Sequence, residues 1–191
     1  MATRREVADA LKKASAFMFF RYRYSMAYEV GLQSWGTRRA DVIGNKISGD
    51  LVLIEVKSSV ADFRSDSKWH EYLKFADRVY LAFTVDVARK INKDKELMSR
   101  IPSRVGVLVL SEYGLMRVVK KAKIVPVEPD IRMSILARLA WRAGELSKRT
   151  TRARQRVYLP GAPELKPKPQ PKRPKFRRRR KSKRKTYRSR T

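Results

Sequence analysis

The seven residues Leu51–Lys57, LVLIEVK, constrain this chain more than any other stretch. β-branched and large apolar side chains in an unbroken run predict a strand covered on both faces. Side chains alternate across a strand, so Val52, Ile54 and Val56 share one face while Glu55 and Lys57 share the other. A Glu-x-Lys pair on a strand is ordinarily a solvated salt-bridge face. Here it interrupts a strand otherwise built for burial, and that conflict draws attention to it.

The neighbouring segments give the strand its setting. Thr3 to Tyr22 reads as a helix, with Thr3 as N-cap and Glu6 at the capping-box position. Met26–Ser34 and Arg38–Lys46 read as strands, and Ser48-Gly49-Asp50 as the turn into Leu51–Lys57, an antiparallel meander. A helix is expected over Ala61–Phe75, anchored by Phe63, Trp69 and Tyr72. The strand Arg78–Phe83 follows it, and a strand–helix–strand crossover implies parallel pairing. A wetter helix over Val87–Met98, strands at Val105–Leu110 and Leu115–Val119, and a helix over Ile131–Leu146 complete the pattern. The fold class is therefore α/β, a mixed central sheet flanked by helices, over residues 1–150.

Residues 151–191 read differently. LPGAPELKPKPQPKRPKF carries too many prolines for a helix or a central strand and predicts an extended linker. RRRRKSKRKTYRSRT then repels itself too strongly to fold alone, so a disordered basic arm is expected. From Gly161 onward there are 15 Lys or Arg and one acid, Glu164.

Charge narrows the partners. Lys and Arg total 47 against 18 Asp and Glu, a formal net charge of +29. Such a field suits nucleic acid, with DNA bound without sequence preference and RNA as the alternative, and an anionic membrane surface far behind. The chain has no Cys and one His, His70, which excludes disulfides, thiolate metal sites and His-rich centres. No apolar run near the start is long enough for a signal peptide or a spanning helix, so cytoplasm (a host's, if phage-encoded) and no membrane insertion are expected. Oligomeric state is left open.

A short hairpin can bring Asp41 beside Glu55. Two carboxylates can hold Mg2+, or Mn2+ in its place, through hard oxygen ligands, with the Val56 carbonyl as a further ligand. A cation so held polarises a phosphate oxygen and acidifies a bound water. Lys57 can orient or help deprotonate that water, or neutralise the transition state. Asp41, Glu55 and Lys57 should then converge on an open, concave sheet edge. Glu6 could add a carboxylate, or serve only as a cap. Asp62, Asp66 and Glu71 could extend the cluster. Arg38 and Arg39 are phosphate-clamp candidates, or partners of Glu29 or Asp50. Arg64 and Lys68 could hold phosphates, as could Arg177, Arg178, Arg179 and Arg180 in the arm. FRYRYS, residues 20–25, could stack single-stranded bases or line the core rim.

Asp41 followed by Glu55-Val56-Lys57 resembles the signature of the PD-(D/E)xK nuclease superfamily. More narrowly, GTRRADVIG, LIEVKSSVADFRSDSKWHEYLKFADRVYLAF and RVGVLVLSEYGLMRV resemble the MmcB-like family of DNA-repair-associated proteins and phage homologues, over about residues 25–148. The resemblance implies a restriction-endonuclease-like core and a divalent-metal centre. Asp41 and Glu55 would be metal ligands and Lys57 the catalytic lysine of a metal-dependent DNA endonuclease or DNA-processing protein. The alternative is a DNA-binding protein that keeps the fold without cleavage. Asp62, Asp66, Lys68 and Trp69 match the family's segment after the active strand, whereas His70 stands where relatives commonly have proline.

Deleting the chain from Gly161 should leave a folded core and weaken nonspecific DNA affinity. The slope of log affinity against log salt should become shallower, because fewer phosphates are neutralised. Salt-titrated binding to one short duplex checks this, and equal slopes would give the arm a different partner.

Overall fold

Six strands form one sheet in sequence order, and the pairing changes from antiparallel to parallel and back. The computed structural model describes residues 3–33, 38–67 and 69–151, with side chains through residue 144. The strands are β1 (Ser25–Gly31), β2 (Arg39–Asn45), β3 (Leu51–Val56), β4 (Arg78–Thr84), β5 (Gly106–Leu110) and β6 (Met116–Lys120). β1–β2–β3 form the expected meander, β3–β4–β5 run parallel, and β6 returns antiparallel. One unit spans Met1–Arg154. A second, Gln155–Thr191, lies outside the described residues, and with it the expected linker and arm.

Every residue of β3 is buried. Its alternation feeds two cores. Val52, Ile54 and Val56 pack with Leu11 and Phe19 of α1 (Arg4–Arg21), while Leu51 and Leu53 pack with Phe63, Trp69 and Phe83 on the opposite side. α1 begins at the predicted capping box, with the Thr3 amide donating to Glu6 Oε2 at 2.7 Å and the Glu6 amide to Thr3 Oγ1 at 3.2 Å. Glu6 is thus used as a cap.

Two expected helices are broken. The first becomes α2 (Val60–Ser65), an extended residue at Asp66 and a 3-10 turn (Trp69–Lys74). Phe63, Trp69 and Tyr72 are all buried in the same core. In a continuous α-helix Phe63 and Tyr72 would point roughly 180° apart, so the helix has to break for both to be covered. The second divides into α3 (Val85–Lys93) and α4 (Lys95–Ser99) at Asp94. The Asp94 carboxylate accepts the amides of Glu96 and Leu97 at 3.0 and 3.1 Å, ending one helix and capping the next. α5 (Pro129–Thr151) starts two residues before the expected position, with proline at its first turn.

Asp77, immediately before β4, ties distant segments together. It is 4% exposed and accepts the amides of Leu51 at 2.7 Å and Val127 at 3.1 Å. Arg132 of α5 grips both of its oxygens at 2.7 and 2.6 Å and also donates to the Gly49 carbonyl at 2.7 Å. Burial alone pushes the Asp77 carboxyl up, but Arg132 and the two amides outweigh it and hold the carboxyl below its ordinary value.

Removing one member of such a buried pair strands the other, so Asp77→Ala should cost about 3 kcal/mol or more in urea unfolding. Because the folded-state pKa is depressed, the stabilisation is complete above the unfolded value of about 3.9 and disappears as pH falls through the folded one. The stability gap between wild type and Asp77→Asn should therefore shrink on acidification below that value.

Candidate functional site

The register between β2 and β3 pairs Val42 with Ile54, so one step further sets Asp41 opposite Glu55. The hairpin thus does what the sequence reading required. Asp41 Oδ2 accepts the Val56 amide at 2.9 Å, which fixes its carboxylate against the end of β3. In β1, Tyr28 pairs with Val42 and Val30 with Ala40, which places Glu29 opposite Asp41. Glu29, Asp41 and Glu55 therefore form a row across three strands. Glu29 adopts a left-handed backbone conformation, φ 54°, which is uncommon away from glycine.

Two lysines pair with these carboxylates, but neither lies between Asp41 and Glu55. Lys12 of α1 forms an ion pair with Glu29, and its Nζ lies 3.3 Å from Asp41 Oδ1. Lys57 Nζ donates to Glu55 Oε1 at 3.1 Å and forms an ion pair with Asp66. Burial pushes the Lys57 ammonium pKa down, but Glu55 and Asp66 outweigh it and leave it raised. The raised value favours the charged form of Lys57.

Glu55 is the strained member. Among the described residues its Oε2 is buried without a hydrogen-bond partner. Burial first, and the charge of Asp41 second, push its carboxyl up to about 8, against the opposing pull of Lys57. Tyr72, 7% exposed, is close enough to feel the same charges. Burial and then Glu55 and Asp66 raise its phenol.

Glu55 and Lys57 are 7% and 3% exposed, so they do not stand on the open face expected of them. The 3-10 turn and its buried Trp69 and Tyr72 close that side of the sheet. Solvent reaches the cluster at Asp41 and Asp66, each with about a fifth of its side chain exposed.

The other expected residues divide. Asp66 joins the cluster. Asp62 instead accepts the Ser58 amide at 3.0 Å while its own amide donates to Ser59 Oγ at 3.1 Å, a helix-start role. Glu71 receives a two-pronged bond from Arg38 at 2.6 and 2.5 Å, and Arg39 pairs with Glu29 at 2.6 Å. Arg64 is mostly exposed and 3.5 Å from Asp94. His70 stacks on Trp69, ring centroids 3.7 Å apart. Lys68 and Arg177, Arg178, Arg179 and Arg180 lie outside the described residues. Lys12 was missed, and Glu29 was read only as an arginine partner, since nothing in their spacing announces that α1 delivers an ammonium to the start of β2.

Among the described residues, no three Asp, Glu, His or Cys side chains are placed to hold a metal by themselves. A cation here would need the carboxylates of Asp41 and Glu55 together with a backbone carbonyl and water. The donor set fits such an ion: all ligands are hard oxygens, and Glu55 Oε2 is buried and unbonded. No helix among the described residues is long and apolar enough to cross a membrane.

A mixed α/β sheet with two carboxylates and a lysine at the end of one strand is consistent with the PD-(D/E)xK resemblance. The family model described as DNA repair protein MmcB-like matches residues 2–154, and the protein belongs to that MmcB-like family. Among solved structures, a protein of unknown function from Silicibacter pomeroyi is similar, with a TM-score of 0.64 and 22% identity. The match covers 80% of this chain and 97% of that one, a likeness of fold. No curated protein sequence matches closely enough to count as a relative.

Lys12→Met should destabilise the protein by about 1–3 kcal/mol, because Glu29 and Asp41 would then face each other without a shared cation. Adding Glu29→Gln should recover part of that loss. A double-mutant cycle from chemical denaturation should give a coupling of about 0.5 kcal/mol or more.

Proposed function

We propose that the protein is a metal-dependent DNA nuclease of repair, hydrolysing phosphodiester bonds at the Asp41–Glu55–Lys57 cluster. The observation that carries this reading is the buried, unbonded Glu55 Oε2 beside Asp41. An isolated buried anion is costly, and two adjacent ones more so, unless a cation is shared between them. Asp41, Glu55 and the Val56 carbonyl would hold Mg2+, with Mn2+ as a substitute. When bound, the cation polarises a phosphate oxygen and acidifies a water ligand.

The chain's own residues do the rest. Glu55 and Asp66 fix the Lys57 ammonium between them, and Lys57 supplies positive charge against the phosphate as negative charge develops there. Asp41 is held in place by the Val56 amide and by Lys12. Arg39, about two-thirds exposed, can contact the DNA backbone at the rim of the cluster. The net charge of +29 favours DNA binding without sequence preference.

A second reading has its own observation. The near-complete burial of Glu55 and Lys57 favours a DNA-binding protein that retains the fold without cleavage.

Incubation with linear, nicked, branched and single-stranded DNA in Mg2+, Mn2+ or EDTA separates the two. The nuclease reading expects metal-dependent products that Asp41→Ala and Glu55→Ala each reduce by about 100-fold or more, with DNA binding largely kept. Lys57→Ala should slow turnover more than it weakens binding. Undiminished cleavage by purified Glu55→Ala would remove this centre. Tight binding without products under either metal would establish the binding protein.

A further inference from the structure

We propose that the groove between α1 and the start of β1 binds single-stranded DNA, stacking its bases on Phe17 and Phe20 and its phosphates against Lys13, Arg21 and Arg23. The groove has a volume of about 1110 Å³ and is walled by these residues and Tyr28. That is at or above the upper end of the roughly 300–1,000 Å³ typical of small-molecule sites and suits a segment of polymer.

Phe17 and Phe20 lie three apart on α1, with Lys13 and Arg21 one turn to either side of Phe17. The neighbouring Phe19 points into the core, whereas Phe17 and Phe20 are 67% and 68% exposed. Two adjacent exposed rings contribute nothing to the core and are costly to leave in water. Among the described residues no carboxylate lines this groove.

Arg23 supplies a second observation. α1 ends with the Arg23 amide donating to the Phe20 carbonyl at 2.9 Å and the Tyr24 amide to the Phe19 carbonyl at 3.1 Å. This capping motif sets the residue at position 23 in the left-handed region, φ 63°, where glycine is the usual choice. An arginine accepts that strain here and places its charge on the groove wall.

The lining selects the occupant. The chain's own segment from Gly161 carries a net +14 and a second copy +29, so like charge opposes both. An anionic polymer with flat faces complements cations and rings together. Duplex DNA keeps its bases stacked away from such rings. A lipid surface would meet the same exposed rings and cations, so phosphatidylserine vesicles are measured alongside DNA. Lys13 and Tyr28 of the groove neighbour Lys12 and Glu29 in sequence, and Lys12 pairs with both Glu29 and Asp41. Binding requires no chemistry at Asp41 or Glu55, so it is tested apart from hydrolysis.

The test is fluorescence anisotropy of full-length protein in EDTA, comparing oligo(dT) of about twenty nucleotides with a duplex of equal length. Salt of about 0.3 M suppresses nonspecific phosphate contacts. Wild type should prefer the single strand. Phe17→Ala with Phe20→Ala should weaken oligo(dT) binding by about tenfold or more and leave duplex binding within about twofold. Arg23→Gly should raise the melting temperature by relieving the left-handed strain, yet weaken oligo(dT) binding by about two- to threefold. Binding lost while stability rises cannot come from unfolding. Unchanged oligo(dT) affinity in the double variant would overturn the proposal. So would equal loss for both DNAs, or a loss confined to phosphatidylserine vesicles.

Discussion

A strand covered on both faces has no solvent to offer a charge at its end. β3 is such a strand, with Glu55 near its end and Lys57 just beyond it. Everything around them supplies what water cannot. β2 turns Asp41 toward the Val56 amide, α1 sends in Lys12, and the break after α2 frees Asp66 to meet Lys57. One oxygen, Glu55 Oε2, is left over. A cluster arranged only for stability would gain by replacing the whole set with apolar side chains of similar volume. Its place at the end of a fully buried strand is what supports the hydrolytic reading proposed above.

How much of this was legible depended on the range of the interactions. The alternation of LVLIEVK sorted Val52, Ile54 and Val56 from Glu55 and Lys57 correctly, because a strand's period is a local property. The short hairpin made the meeting of Asp41 and Glu55 readable too. The broken helix was present in the sequence as a conflict. Phe63 and Tyr72 are nine residues apart, and one helix cannot bury both on the same side. Lys12 was not readable, because the rotation of α1 over the sheet is set by Leu11 and Phe19 finding their core. Nor was the depth of the site. Its cover comes from Trp69 and Tyr72, whose 3-10 path exists only after the helix breaks.

The two ends of the β1–β2 ribbon have opposite electrostatic character. At one end Glu29 and Asp41 share Lys12 in a partly buried row that continues to Glu55 of β3. At the other, around Phe17, Phe20 and Arg23, cations and rings face solvent. α1 spans both, contributing Lys12 to the first and Lys13 to the second. The helix fixes their spacing through its packing on the sheet, so a change in its core contacts would move both regions together.

The Asp77 fork has a consequence for how the chain is made. Leu51 precedes Asp77 by 26 residues, whereas Arg132 follows it by 55. During synthesis the carboxylate can collect the Leu51 amide as soon as β4 emerges, but its counter-charge arrives only with α5. Until then Asp77, at the start of β4, is an anion without its cation. The nascent chain therefore has reason to stay incompletely packed through β6, and to close as one unit when Arg132 leaves the ribosome.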